Sequence, residues 1–228
     1  MLKIRGLIVV IQFSITVAFV VVFMYMFRKH THKIIKAWMS LQMWFLGIEL
    51  KEVGSMDESC DMVIMNHQSL LDIIVIEYIH NRDLAWVGKK EITDMFFFGH
   101  IMKAPRMITI DREDKTGIIK LLKEVKDRLS KGRPIAMFPE GTRTDGYSML
   151  PFKAGASMVA NKLKLKVQPL IIINTRQILN SKNMEAKPGI VKVIYLDPVQ
   201  ADRQTDWFHE TENKMKEVLA QELAKEKK

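Results

Sequence analysis

From Gly6 to Phe27 the chain reads GLIVVIQFSITVAFVVVFMYMF, 22 residues without a charge. As a helix this run would be about 33 Å long, enough to cross the hydrocarbon core of a bilayer. It is too long for the apolar part of a secretion signal, and no small-x-small cleavage site follows it. A core helix of this length ordinarily keeps a polar stripe. The run is therefore predicted to hold the chain at a membrane.

The charges agree with that reading. Lys and Arg number 35 against 26 Asp and Glu, a formal charge of +9. Lys3, Arg5, Arg28, Lys29, Lys33 and Lys36 all precede the first acidic residue, Glu49. Cations bracketing an uncharged run suit an anionic membrane surface or an anionic substrate rather than nucleic acid. Residues 33–47, KIIKAWMSLQMWFLG, place Ile34, Trp38, Leu41 and Phe45 on one helical face, with Lys33, Lys36 and Ser40 on another. Trp38 and Trp44 are expected at headgroup level. Two arrangements fit: a spanning helix followed by an interfacial one, or a hairpin dipping into one leaflet. More positive charge follows the first segment than precedes it, which puts the rest of the chain on the cytoplasmic side, with a bacterial inner membrane as the expected setting. The predicted division is residues 1–48 as membrane-anchoring helices and 49–228 as one globular domain. A single cysteine, Cys60, excludes an intrachain disulfide.

Beyond residue 60 short β-prone runs alternate with helical patterns, the mark of an α/β domain with a largely parallel sheet flanked by helices. The predicted strands are 62–65, 84–87, 107–110, 135–138, 167–173 and 191–196. A helix is predicted over 115–129, with Ile118, Ile119, Leu122, Val125 and Leu129 on its apolar face and Gly132 beyond its end. Ligands bind such sheets beyond the carboxyl ends of the strands. That rule selects four loops: 66–69, 88–90, 111–112 and 139–143.

The first loop holds Asn66, His67, Gln68 and Ser69, with Asp72 just inside the next helix. A histidine takes a proton near neutral pH, and a carboxylate on its far ring nitrogen fixes the tautomer and stabilises the imidazolium. With 6 His and 12 Asp in 228 residues, roughly 0.3 His-x4-Asp pairs arise by chance, and only His67 makes one, so the spacing alone is a weak signal. The second loop, Phe138-Pro139-Glu140-Gly141-Thr142-Arg143, follows the strand IAMF and presents a carboxylate beside a guanidinium, the natural bidentate partner of a phosphate. A surface turn closed by its own Glu140–Arg143 ion pair is the plainer alternative. Lys89, Lys90 and Arg112 stand at further strand ends, so three cationic loops surround one histidine and predict an anion pocket.

Taken together, Asn66-His67-x4-Asp72 and Phe138-Pro139-Glu140-Gly141-Thr142-Arg143 closely resemble the 1-acylglycerol-3-phosphate acyltransferase family of phospholipid synthesis. The resemblance continues through ITIDR at 108–112, PFKAG at 151–155 and VQPLII at 167–172, in the family's order. It departs at Gln168, where a small or apolar residue is more usual. The resemblance implies that His67 and Asp72 are the catalytic pair. It also implies that Glu140, Gly141, Thr142 and Arg143 bind the glycerol phosphate, helped by Arg112 and by Lys89 or Lys90. It implies direct acyl transfer: His67 takes the proton of the lysophosphatidate hydroxyl, the alkoxide attacks an acyl thioester, and the thiol leaves. The donor is expected to be acyl-CoA or acyl carrier protein. No cofactor or metal is expected, since there is no His or Cys cluster with ligand spacing, no nucleotide loop and no serine elbow. Transfer to glycerol 3-phosphate or a lyso-aminolipid, a thioesterase using water, and a tethered lipid-binding module are the competing readings.

Overall fold

The β-prone runs assemble into one twisted sheet, and the N-terminal segments form part of its covering layer. The computed structural model describes residues 2–111 and 117–226. Two long helices open the chain, α1 (Leu2–Met26) and α2 (Thr31–Leu46), and Gly47 closes α2 in the left-handed conformation that glycine adopts without strain. Then follow β1 (Ile48–Val53), β2 (Met62–Met65), α3 (Leu71–Ile79), β3 (Ala85–Lys89), the short α4 (Lys90–Asp94) and α5 (His100–Lys103), and β4 (Ile108–Ile110). After the undescribed stretch come α6 (Gly117–Leu129), β5 (Ile135–Met137), α7 (Ala154–Leu163), β6 (Lys166–Ile173) and the one-turn α8 (Thr175–Ile178). The chain finishes with the hairpin β7 (Leu179–Asn180) and β8 (Glu185–Ala186), then β9 (Gly189–Tyr195), β10 (Val199–Gln200) and α9 (Trp207–Glu226).

The sheet order is β1-β9-β6-β2-β5-β3-β4, with β10 pairing on β6 beyond the end of β9. Every neighbouring pair is parallel except β6 with β9 and with β10. The α/β class is therefore as expected, and all six predicted strands are present. The edge strand β1 went unpredicted: IELKEV carries three charges and lies along β9 with one face open, so it lacks the apolar run of a central strand.

Central strands bury both faces, and alternate residues serve two cores. Val63 and Met65 of β2 join a cluster with α1, α2 and α3, while Met62 and Ile64 join one with α6, α7 and α9. The first 46 residues thus share a hydrophobic core with the sheet. Two expectations about them change. On α2 the buried residues are Ile35, Trp38, Met39, Gln42, Met43 and Leu46, whereas Leu41 is exposed. Trp38 is buried too, its ring 5.1 Å from Phe13 and its indole N–H donating to Thr16 Oγ1 at 3.0 Å, because α2 presents that face to α1. Trp44 is the exposed tryptophan, at 76%. On α6, Ile119 is 69% exposed, since it sits about 100° round the helix from Ile118 and Leu121 and Val125 point inward instead.

Gln168, the departure in the fourth sequence block, is buried in β6 and has a structural use. Its Oε1 accepts the Asp57 N–H at 2.8 Å and its Nε2 donates to Ser55 O at 3.0 Å, tying the 54–60 connection to the sheet.

Candidate active site

β2, β3, β4 and β5 run parallel, so their carboxyl ends lie on one rim, and the selected loops meet there. At the end of β2 the buried Asn66 uses its whole amide on β6: Nδ2 donates to Ile172 O at 2.9 Å and Oδ1 accepts Ile172 N–H at 2.8 Å. This clamp fixes where the chain leaves the sheet, and so where His67 begins. Side chains of a helix lean toward its N-terminus, which carries the Asp72 carboxylate back over the turn before α3. There Asp72 Oδ2 accepts the backbone N–H groups of Gln68 at 2.7 Å and Ser69 at 2.8 Å, and it lies 2.8 Å from His67 Nδ1. Its Oδ1 accepts the Thr175 hydroxyl. Asp72 is fully buried, and its carboxylate oxygens meet two backbone N–H groups, a hydroxyl and an imidazole nitrogen, partners that suit a buried charge.

With Nδ1 on Asp72, His67 keeps Nε2 for the cavity that its ring lines. The ring lies on Phe138, the first residue of the second loop, with centroids 3.8 Å apart. Phe138 stacks in turn on Trp86, whose indole N–H donates to the buried Glu77 at 2.6 Å. The His67 carbonyl accepts Thr144 N–H at 2.8 Å.

The second loop divides its labour differently from expectation. Glu140 is 1% exposed and does not line the cavity. Its Oε1 accepts the His67 N–H at 2.8 Å and its Oε2 accepts Leu150 N–H at 2.6 Å, so both oxygens serve the backbone. Burial pushes its carboxyl up to about 7, the two N–H groups opposing that shift. Glu140 thus braces the backbone behind His67, and it makes no ion pair with Arg143. Gly141 (φ +70°), Thr142 and Arg143 line the cavity, and Arg143 Nη1 donates to Ser181 Oγ at 3.2 Å.

The cavity has a volume of about 760 Å³. Its walls include Ile73, Trp86, Met102, Ile110, Leu121 and Met158, and its cations are Lys89, Arg143 and Lys153. Lys90 is not among them. It is the first residue of α4 and pairs with Asp111 at 3.4 Å and Asp94 at 3.9 Å. Arg112 lies outside the described residues. Sequence reasoning passed over Lys153 as a site residue although its block, PFKAG, stood out. The usable signal was its place before α7, whose first turn opens on the cavity through Gly155 and Ala156 and brings the positive end of a helix dipole with it. Cys60 lies before β2, at the opposite end of the strand from His67, buried and with its thiol pushed up to about 11.

A tautomer-fixed imidazole in the wall of an apolar cavity with three cations can deprotonate a hydroxyl on an anionic, lipid-like acceptor. The family model described as Acyltransferase matches residues 58–173. A 1-acyl-sn-glycerol-3-phosphate acyltransferase of Helicobacter pylori is 40% identical over 210 residues, 90% of this chain and 89% of that one. One from Cocos nucifera is 30% identical over 78% of this chain, which spans 57% of the coconut protein. The crystal structure of the 1-acyl-sn-glycerophosphate (LPA) acyltransferase PlsC from Thermotoga maritima superposes with a TM-score of 0.78, covering 98% of this chain and 95% of that one at 22% identity, and so shares the fold. Matched by the domain model and by a relative of nearly its own length, the chain belongs to the acyltransferase family.

Proposed function

We propose that the protein transfers a fatty acyl group from an acyl thioester to the sn-2 hydroxyl of 1-acyl-sn-glycerol-3-phosphate, giving phosphatidate, with His67 as general base. The single observation that carries this is His67 Nδ1 held at 2.8 Å on the buried Asp72, in the wall of an apolar cavity that Arg143 also lines. Nδ1–H donates to Asp72, so Nε2 is the basic nitrogen and takes the hydroxyl proton as the oxygen attacks the thioester carbonyl. Collapse of the tetrahedral intermediate expels the thiolate, which recovers that proton from the imidazolium. Arg143, Lys89 and Lys153 bind the acceptor phosphate, with Gly141 and Thr142 shaping the turn that delivers Arg143. Acyl-CoA or acyl carrier protein is the donor.

The two N-terminal helices set this site beside its lipid substrate. Buried positions Gly6, Val9, Val17, Val20, Val21 and Met24 run the length of α1, while Leu7, Ile11, Ile15, Phe19 and Val22 are exposed on its other side. Gly6 permits the close approach: a Cβ there would lie 1.9 Å from Met184 O beside β8. A helix docked along its whole length lies in the plane of one leaflet rather than across the bilayer, with residues 49–228 on the cytoplasmic side. The test is to incubate the purified protein in vesicles with lysophosphatidate and each donor in turn and to weigh the product lipid. Fatty acid release without acceptor in place of phosphatidate would show a thioesterase.

A further inference from the structure

Between β3 and β4 the chain exposes an apolar turn that neither the site nor the anchor helices account for. Phe96 is 97% exposed, and Met95 and Ile92 are exposed beside it. The turn is built, not frayed. Gly99 N–H donates to Met95 O at 2.9 Å, and a Cβ on Gly99 would lie 2.1 Å from Thr93 O, so only glycine closes it. Phe98 packs into the core and meets the Phe97 ring edge-on, which anchors the turn while Phe96 projects.

Its two neighbours say what it meets. Ile92, in α4 just before the turn, lines the cavity, so the turn adjoins the cavity wall. On the other side it leads directly into α5, where His100 Nδ1 lies 2.8 Å from the hydroxyl of Tyr25 at the end of α1. Exposed Phe23, Met26 and Phe27 of the α1 end thus continue into the turn, and exposed cations stand beside both, Lys103 on α5 and Arg28 over the Tyr25 ring. Aromatic and apolar tips with lysine and arginine behind them match the level of a bilayer where acyl chains meet anionic headgroups.

We propose that residues 92–97 are a third membrane-inserting element, the lip of the cavity, occupied by the acyl-chain region of the bilayer, through which lipid substrates pass sideways to His67. This rests on the reading that α1 lies in a leaflet, and the experiment separates the two. On a Cys60→Ser background, which leaves no other cysteine, Phe96→Cys and Phe19→Cys carry a spin label in vesicles of phosphatidylethanolamine and phosphatidylglycerol. Both labels should be relaxed more by oxygen than by a water-soluble nickel chelate. Phe19 in lipid with Phe96 in water overturns the lip and spares the anchor; both in water overturns both. Dipolar coupling between Phe96 labels of two copies would show a protein partner there and overturns it too. Phe96→Asp, made at a surface position, should leave thermal stability and turnover of a short-chain, water-soluble acceptor unchanged. It should raise the apparent KM for long-chain lysophosphatidate in vesicles roughly ten-fold or more. Unchanged constants for both acceptors would also overturn the proposal.

Discussion

The imidazole of His67 lies face to face on the ring of Phe138, with centroids 3.8 Å apart and planes 14° from parallel. An aromatic face attracts a cation, by about 0.5–2 kcal/mol at contact distance, so the pair favours the imidazolium that forms as the acceptor hydroxyl loses its proton. Phe138→Leu keeps the bulk and removes the face. It should lower kcat about two- to thirty-fold, with acceptor KM unchanged. A shift in KM alone would mean that Phe138 only lines the cavity.

Loss of the base itself should be far larger. His67→Ala is expected to reduce turnover by roughly 10² to 10⁴-fold while the protein stays folded and at the membrane. Asp72→Asn should follow it closely. An amide can accept from the N–H groups of Gln68 and Ser69, yet it holds the ring less well and no longer balances an imidazolium. Single-turnover rates at saturating substrate check both, and a His67→Ala enzyme with most of its activity would sink the mechanism.

Glu77 gives a stability prediction with a definite sign. Burial pushes its carboxyl from an ordinary 4.5 up to about 7, with the Trp86 N–H pulling the other way. A carboxyl raised on folding holds its proton better when folded. Its stabilising contribution is therefore complete below about pH 4.5 and is lost as the pH rises through 7. Glu77→Gln keeps an acceptor for the indole and abolishes the titration. Relative to this variant the wild type should lose up to about 3 kcal/mol between pH 4.5 and 8, read as several degrees of Tm. Parallel melting curves for the two proteins across that range would contradict the assignment.

Lys89 and Lys90 adjoin in sequence and differ in use. Lys89 ends β3 at the cavity, whereas Lys90 is engaged with Asp111 and Asp94. Lys89→Ala should raise the acceptor KM several-fold, and Lys90→Ala should change it by less than about two-fold, an exposed pair being worth little. The reverse order, measured with vesicle-bound lysophosphatidate, would move the phosphate to the far side of β3.

What the sequence could reveal follows from how each role is encoded. The central strands and the His67–Asp72 pair were legible because both depend on short-range spacing: continuous apolar runs in one case, one helical turn in the other. The burial of Glu140 was hidden for the opposite reason. Its neighbours in sequence suggest a surface carboxylate, and only the parallel pairing of β2 with β5 brings it under the His67 amide, 73 positions away. Asn66 and Thr175 belong to the same class, their partners being Ile172 and Asp72, more than a hundred residues distant. The two N-terminal helices were found by composition. Their inward faces were not, because Trp38 and Gln42 are buried against Thr16 by a pairing of α1 with α2 that no single-helix pattern contains.

Arg143 carries the distinction between a phosphate-bearing acceptor and any other alcohol. It lines the cavity, and its Nη1 donates to the neutral Ser181 hydroxyl at 3.2 Å. Phosphate is held in ground and transition states alike, so losing the guanidinium should weaken acceptor binding more than it slows chemistry. A charge-assisted hydrogen bond of about 1.5–3 kcal/mol corresponds to a roughly ten-fold to more than hundred-fold rise in the acceptor KM for Arg143→Ala. Arg143→Lys should recover part of that, since an ammonium supplies charge without the two-pronged geometry. Ser181→Ala should do little. Steady-state constants for both substrates decide the point: a rise in the donor constant with the acceptor constant unmoved would place Arg143 on the thioester's carrier. Two unchanged constants would leave Lys89 and Lys153 to hold the phosphate.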